Sequence, residues 1–198
     1  IEEHIAGIPG DVFIEDFLGD CTPAQQAQIA KEYVKFNERC MIRLLGDMRA
    51  YNYVIIPTHD FDQVVYKIRA IDFDQQSYEG KLKVYRPQFF KENFPMVSIV
   101  KNKLTLGSVN QYKIEERSIV FKRIISSGTR LDNLLTIMKQ DTLSQPSYLR
   151  NLSEEIYKFT KDEAFIDVKS MGEVMDASLN YVRRHYENLN MTKLIQSS

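Results

Sequence analysis

This chain has no tryptophan, only two cysteines and three histidines, and almost no net charge. Each scarcity excludes something. Cys21 precedes an expected helix and Cys40 lies well inside it, so the two are too far apart on one straight rod to form a disulfide. Both read as reduced thiols, as in a cytoplasmic protein. Two cysteines with His4, His59 and His185 are too few and too scattered for a structural zinc site. A formal net charge of -1 gives no global pull toward nucleic acid or an anionic membrane. No apolar run approaches the roughly 20 residues of a membrane span. The start, Ile-Glu-Glu-His, is acidic and lacks the basic-then-apolar order of a signal peptide. No internal repeat, low-complexity tract or linker stands out.

What is present suits one globular unit over residues 1–198, with 43% hydrophobic and 27% charged residues. A short helix is expected near Val12–Leu18. Thr22-Pro23-Ala24-Gln25 is a strong helix start, with Thr as N-cap, Pro at the first position and Gln three residues after the cap. Ile29, Tyr33, Phe36, Cys40 and Leu44 then recur at helical spacing, and Ala30, Val34, Met41 and Leu45 widen that stripe. Gly46-Asp47 should break this helix. Tyr53–Ile56 and Val64–Ile71 read as a hairpin, with Pro57–Gln63 as its polar connection. Gln75–Gly107 reads as a long irregular stretch punctuated by Gly80, Pro87 and Pro95. Helices are expected near Ser108–Ile125, Thr129–Lys139, Ser147–Thr160 and Ser170–Asn188. Gly128 separates the first pair, and Ser170-x-x-Glu173 forms a capping box at the last. The expected class is α+β, mostly α.

The chemistry concentrates between Gly46 and Asp74. Asp47 and Asn52 share one loop, and Asp72 ends the second strand of the hairpin, whose two ends must come together. An Asp and an Asn amide oxygen on adjacent elements are the hard donors Mg²⁺ prefers. A second carboxylate five residues before the Asn can face an acceptor hydroxyl and take its proton. Arg49 can meet a transferring phosphoryl group as a fixed positive charge.

Long helix, Gly-Asp-x-x-x-x-Asn, hairpin, Ile-Asp-Phe-Asp, then a helical block: this order resembles the C-terminal lobe of the protein-kinase-like superfamily, above all its aminoglycoside phosphotransferase and small-molecule kinase branch. The likeness covers about Thr22 to Asp74, and the later helices fit in kind without an alignable motif. It implies Asp47 as catalytic base, Asn52 and Asp72 as Mg²⁺ ligands beside bound ATP, and Asp74 at the family's second acidic position. It implies phosphate transfer to a hydroxyl-bearing substrate that the sequence does not name. Leu45 stands where the family has His, and the interval from Asn52 to Asp72 is longer than the family's. No Gly-rich loop or strand Lys precedes Asp47, and the 46 residues before it leave no room for a nucleotide-binding lobe. The expectation is a catalytic lobe that belongs with an N-terminal lobe or a partner protein.

Other readings stay open. Asp47 and Asn52 can simply cap a turn, and the lobe can be a non-catalytic interaction module. A metal-dependent hydrolase could use the same carboxylates. His59-Asp60-Phe61-Asp62 reads as an exposed loop tip rather than a metal cluster. Tyr85-Arg86-Pro87-Gln88-Phe89-Phe90 reads as a loop packing its Phe residues on the core, with a substrate-stacking role as the alternative. Lys122-Arg123 and Arg183-Arg184-His185 read as solvated helix faces.

Overall fold

The structure is a computed structural model that describes residues 7–196, with side chains described up to residue 186; His4 lies outside it. The class is α+β and mostly helical. Strand β1 (Ile8–Pro9) leads into α1 (Gly10–Asp16), then α2 (Pro23–Ile42), the hairpin β2 (Tyr53–Asp60) and β3 (Gln63–Ala70), and α3 (Phe94–Lys103). The block α4 (Leu106–Ser127), α5 (Thr129–Gln140), α6 (Pro146–Thr160) and α7 (Met171–Gln196) follows. The sheet is antiparallel in the order β1-β2-β3. No helix among the described residues is long and apolar enough to cross a membrane.

The capping box expected at Thr22 is formed. Thr22 Oγ1 accepts from Gln25 N at 3.2 Å, and Gln25 Oε1 accepts from Thr22 N at 2.8 Å. From there α2 buries Ile29, Ala30, Tyr33, Val34, Phe36 and Cys40. Its polar side serves the sheet. Gln28 bonds both the N–H and the C=O of Tyr66, each at 2.9 Å. Glu32 accepts from Ile68 N at 3.3 Å, and Arg39 donates to Ile68 O at 2.9 Å. Side chains four and eleven residues apart on one helix thus satisfy the outer edge of β3, which would otherwise offer unpaired backbone groups to another chain.

Several expectations need correction. The helix stops at Ile42, before Gly46. Arg43 is its C-cap and Leu44 adopts φ 49°. Leu45 N bonds Cys40 O at 2.9 Å and Leu44 N bonds Met41 O at 3.4 Å, the pattern of a Schellman ending that normally uses Gly at the left-handed position. Pro57–Asp60 is strand rather than connection, paired down to Asp60 with Gln63. Beyond Ile55 no described strand covers the outer edge of β2, so Pro57 interrupts no ladder there. His59–Asp62 is the exposed tip of the hairpin. The stretch Gln75–Gly107 is far from irregular. It holds 3₁₀ turns at Leu82–Tyr85, Pro87–Phe89 and Lys91–Asn93 and then α3, with Pro95 in its first turn. In Tyr85–Phe90 it is Tyr85 and Pro87 that are buried, whereas Phe89 is exposed against Arg86 and Phe90 lies under Arg49. At α7, Ser170 Oγ accepts from Glu173 N as expected, but Glu173 reaches back to Lys169 N, one residue earlier than a standard box. His185, on a face expected to be solvated, stacks on Tyr181 and is partly buried.

Two hydrophobic cores result. One lies under the hairpin, between α1, α2 and α3. The other fills the helical block. They meet at consecutive residues: Leu44 belongs to the block and Leu45 to the hairpin core.

Candidate functional site

The loop of interest begins where the two cores part. A left-handed Leu turns the chain at 44. Gly46 then passes so close to the next segment that a Cβ there would sit 2.7 Å from Gln75 O. An isolated bridge pairs Leu45 with Gln76, and Ser77 N bonds Leu44 O at 2.9 Å. The loop is thereby laid against the stretch that follows Ile-Asp-Phe-Asp.

Asp47 also has positive φ, 54°, which Asp tolerates better than most residues. Its N–H bonds Val84 O at 3.1 Å. Asn52 Nδ2 donates to Asp47 O at 2.7 Å, closing the loop across five residues and leaving Oδ1 as the amide's remaining acceptor. Asn52 O accepts from Ile71 N at 3.1 Å, so the ladder of Tyr53 with Ala70 continues one step past the strands. Asp72 follows at once. Its Oδ1 accepts from Asp74 N at 3.0 Å, a tight local turn that engages one carboxylate oxygen. Asp47, Asn52 and Asp72 are all half-buried, whereas Asp74 is exposed. The backbone therefore brings Asp47, Asn52 and Asp72 to one end of the hairpin. Asp74 serves the turn through its N–H.

Arg49 does not stand free to meet a ligand. Its Nε lies 2.9 Å from Asp47 Oδ1, and its Nη1 lies 3.3 Å from Glu92 Oε1. The guanidinium sits 5.2 Å from the Phe90 ring centroid. The hydrogen bond and charge of Asp47 raise its pKa.

Beneath the loop is a residue that the sequence did not signal. Asn93 is fully buried. Its Nδ2 donates to Met48 O and Pro87 O, both at 2.9 Å, and its Oδ1 accepts from Tyr53 OH at 2.8 Å. Burial raises the Tyr53 pKa well above its ordinary value, which keeps that hydroxyl a donor. One amide thus ties the loop, strand β2 and the turn before α3 together. Glu92 beside it was likewise unforeseen, and its second oxygen is buried without a partner.

No family model matches this chain, and no curated protein or solved structure shows significant similarity to it. The site therefore stands on its own geometry. Among the described residues, no group of three or more His, Cys, Asp or Glu is placed to hold a metal ion. Asn52 Oδ1 and the Asp72 carboxylate do match Mg²⁺ in donor type. They supply hard oxygens on neighbouring backbones, and such a site takes its other ligands from phosphate and water. The 610 Å³ cleft between α6 and the Phe165–Val168 segment lies away from this loop and is lined by none of its residues.

Proposed function

We propose that this chain is the catalytic lobe of a kinase-like phosphotransferase that uses ATP and Mg²⁺ to phosphorylate a hydroxyl. The observation that carries this reading is the closure of the loop: the Asn52 amide on Asp47 O and the Asn52 carbonyl on Ile71 N. Together they hold an acidic residue, an amide oxygen and a second acidic residue at one hairpin end. Asn52 Oδ1 and Asp72 would hold the Mg²⁺, which would supply positive charge to offset the phosphates and polarise the transferring group. Asp47 receives the proton of the acceptor hydroxyl. Arg49 acts as a positioning residue, because it already holds the Asp47 carboxylate and is itself held by Glu92. Exposed Tyr51, Ile71 and Phe73 flank Asn52 and Asp72 in sequence and offer apolar contact to a nucleotide base or to an N-terminal lobe.

The test is Mg²⁺-dependent ATP binding by calorimetry, with slow ATP hydrolysis as the activity readout. Asp72→Asn is expected to abolish the Mg²⁺ dependence of binding. Asp47→Asn is expected to bind Mg²⁺-ATP normally while turnover falls by about 10²–10⁴-fold, as for loss of a general base. A wild-type protein that binds Mg²⁺-ATP no better than Asp72→Asn would sink the proposal. That outcome would favour the second reading, a kinase-like binding module without catalysis. The second reading draws on the Asp47–Arg49 pair, which already occupies the carboxylate that catalysis would need.

A further inference from the structure

Beside the loop, cationic side chains from three elements line a cleft of about 520 Å³ that Leu45 and Phe73 also line. Arg39 and Arg43 come from the end of α2, Lys67 and Arg69 from β3, and Arg123 from α4, with Glu32 the only acidic side chain among the described residues that line it. Arg39 is spoken for, by Glu116 at 3.0 Å, Glu32 at 3.8 Å and Ile68 O. Among the described residues, Arg43, Lys67, Arg69 and Arg123 have no carboxylate within ion-pair distance.

Ordinary surface chemistry does not account for the grouping. A cation near a helix C-terminus gains roughly 0.3–1 kcal/mol from the helix dipole, which rationalises Arg43 alone. It does not rationalise a third guanidinium arriving from another helix. Arg43 is half-buried at the α2 C-cap, and its carbonyl is held by Gln76 Nε2 at 3.3 Å. Burial, and then the charges of Arg39 and Arg123, lower its pKa. Lys67, Arg69 and Arg123 are exposed, but Arg43 is partly desolvated among like charges, an arrangement that lowers stability unless an anion joins it. Guanidinium groups present paired N–H donors that suit phosphate oxygens two at a time. The cleft's volume falls in the range of small-molecule sites rather than of extended interfaces.

We propose that this cleft binds a small ligand carrying two or more phosphate-type anionic groups, at a site that borders the loop region at Leu45 and Phe73 but is lined by none of Asp47, Asn52 and Asp72. Arg43 and Arg123 are its main contacts, and Lys67 and Arg69 close it from the hairpin. The inference does not depend on the phosphotransferase reading. It would hold equally in a non-catalytic protein.

The probe is inorganic tripolyphosphate, titrated calorimetrically into the intact protein without divalent metal. Wild type is expected to bind saturably, with affinity falling as salt rises. Arg43→Gln and Arg123→Gln should each weaken binding by at least about tenfold, the loss typical of a charge-assisted hydrogen bond. Asp72→Asn should leave it unchanged. Lys67→Gln/Arg69→Gln, at two exposed strand positions, covers the case in which Arg43→Gln does not fold, and should weaken binding similarly. Three outcomes overturn the proposal. One is no saturable binding by wild type. Another is equal weakening by Lys158→Gln, a cation far along α6. The third is wild-type binding that appears only when Mg²⁺ is added and is lost in Asp72→Asn, which would assign the anion to the loop and leave the phosphotransferase reading standing.

Discussion

The hairpin core and the helical-block core are built from similar residues but do different things for the candidate site. Under the hairpin, Tyr33, Phe36, Tyr53, Ile55 and Met96 are sealed together with Met48 and Ala50. Those last two belong to the Asp47 loop, so this core grips the loop from below on both sides of Arg49. The block core of Leu152, Ile156, Phe165 and Val174 reaches the same region through Leu44 and through Leu82 and Tyr85, on either side of Val84. The hairpin side also carries the long-range polar bonds of Gln28, Glu32, Arg39 and Asn93 to backbone. The block has fewer such bonds, with Glu155 accepting from Leu82 N at 2.6 Å and Ser178 Oγ donating to Ile42 O at 2.8 Å, and adds close helix contact, as where Gly172 of α7 meets the backbone of Met138 and Lys139 so closely that a Cβ would come within 2.3 Å. Polar bonds fix direction as well as distance, whereas apolar packing fixes volume. The division places most of the loop geometry on the hairpin side, and the block acts on Asp47 through Leu44 and through the Leu82–Tyr85 turn, whose Val84 O accepts from Asp47 N and whose Leu82 N is held by Glu155.

The sharpest way to break that comparison is at the boundary itself. Leu44 and Leu45 are each buried to 1% exposure but in different cores. Leu44→Ala and Leu45→Ala should each cost about 2–5 kcal/mol, as for truncation of a buried leucine. Their local consequences should differ. By hydrogen exchange, Leu45→Ala should expose amides of β2, β3 and the 46–52 loop, and Leu44→Ala those of α5–α7. If both variants loosen both halves alike, the two cores are one cooperative unit.

Asn93 sharpens the comparison with a smaller effect. Asn93→Ala strips partners from Met48 O, Pro87 O and Tyr53 OH at once, and should cost on the order of 2–4 kcal/mol through groups left buried and unpaired. Asn93→Asp is more telling. It preserves the acceptor for Tyr53 OH but removes the donors to Met48 and Pro87, and it buries a charge. Both should lower the melting temperature, and both should raise exchange in the 46–52 loop more than in α6. Protection of the loop equal to wild type in a folded Asn93→Asp protein would show that the loop is held by packing alone.

What the sequence made legible follows the same line. Local signals were readable: the Thr22 box, the stripe on α2, the hairpin and the break at Gly128, which has φ 48°. Each rests on spacing or capping within a few residues. The misreadings share a cause. Pro95 looked like punctuation, yet a proline in the first helical turn starts a helix as readily as it ends one. The end of α2 was expected at Gly46, because a glycine is the usual left-handed residue. Tertiary packing instead placed Leu44 there, where its side chain fills the block core. In the site, the motif positions Asp47, Asn52 and Asp72 were legible as a pattern. Asn93 and Glu92 were not, because their roles arise from contacts more than 40 residues away in sequence that no local signal encodes.

The smallest effect concerns pH and centres on the outer edge of β3. Glu32 lies on α2, accepting from Ile68 N, with Arg39 3.8 Å away and with Lys35 and Glu116 also acting on it. Burial dominates and raises its pKa above 4.5, and Arg39 and the Ile68 N–H only partly oppose that rise. The folded state therefore holds the Glu32 proton more tightly than the unfolded chain does. Its contribution to stability is fully present below the ordinary carboxylate value and is lost as pH rises through the raised one. Glu32→Gln keeps an acceptor for Ile68 N and has nothing to titrate. Thermal melts from pH 4 to 7 should then show a shallower loss of stability on the alkaline side of that interval than wild type. Glu115, half-buried on α4, has its pKa lowered by its hydrogen bond to Lys35, so its titration tilts stability the opposite way and makes Glu115→Gln the matching control. Identical pH profiles for Glu32→Gln and wild type would mean that the β3 edge is held by Gln28 and Arg39 without a titratable component.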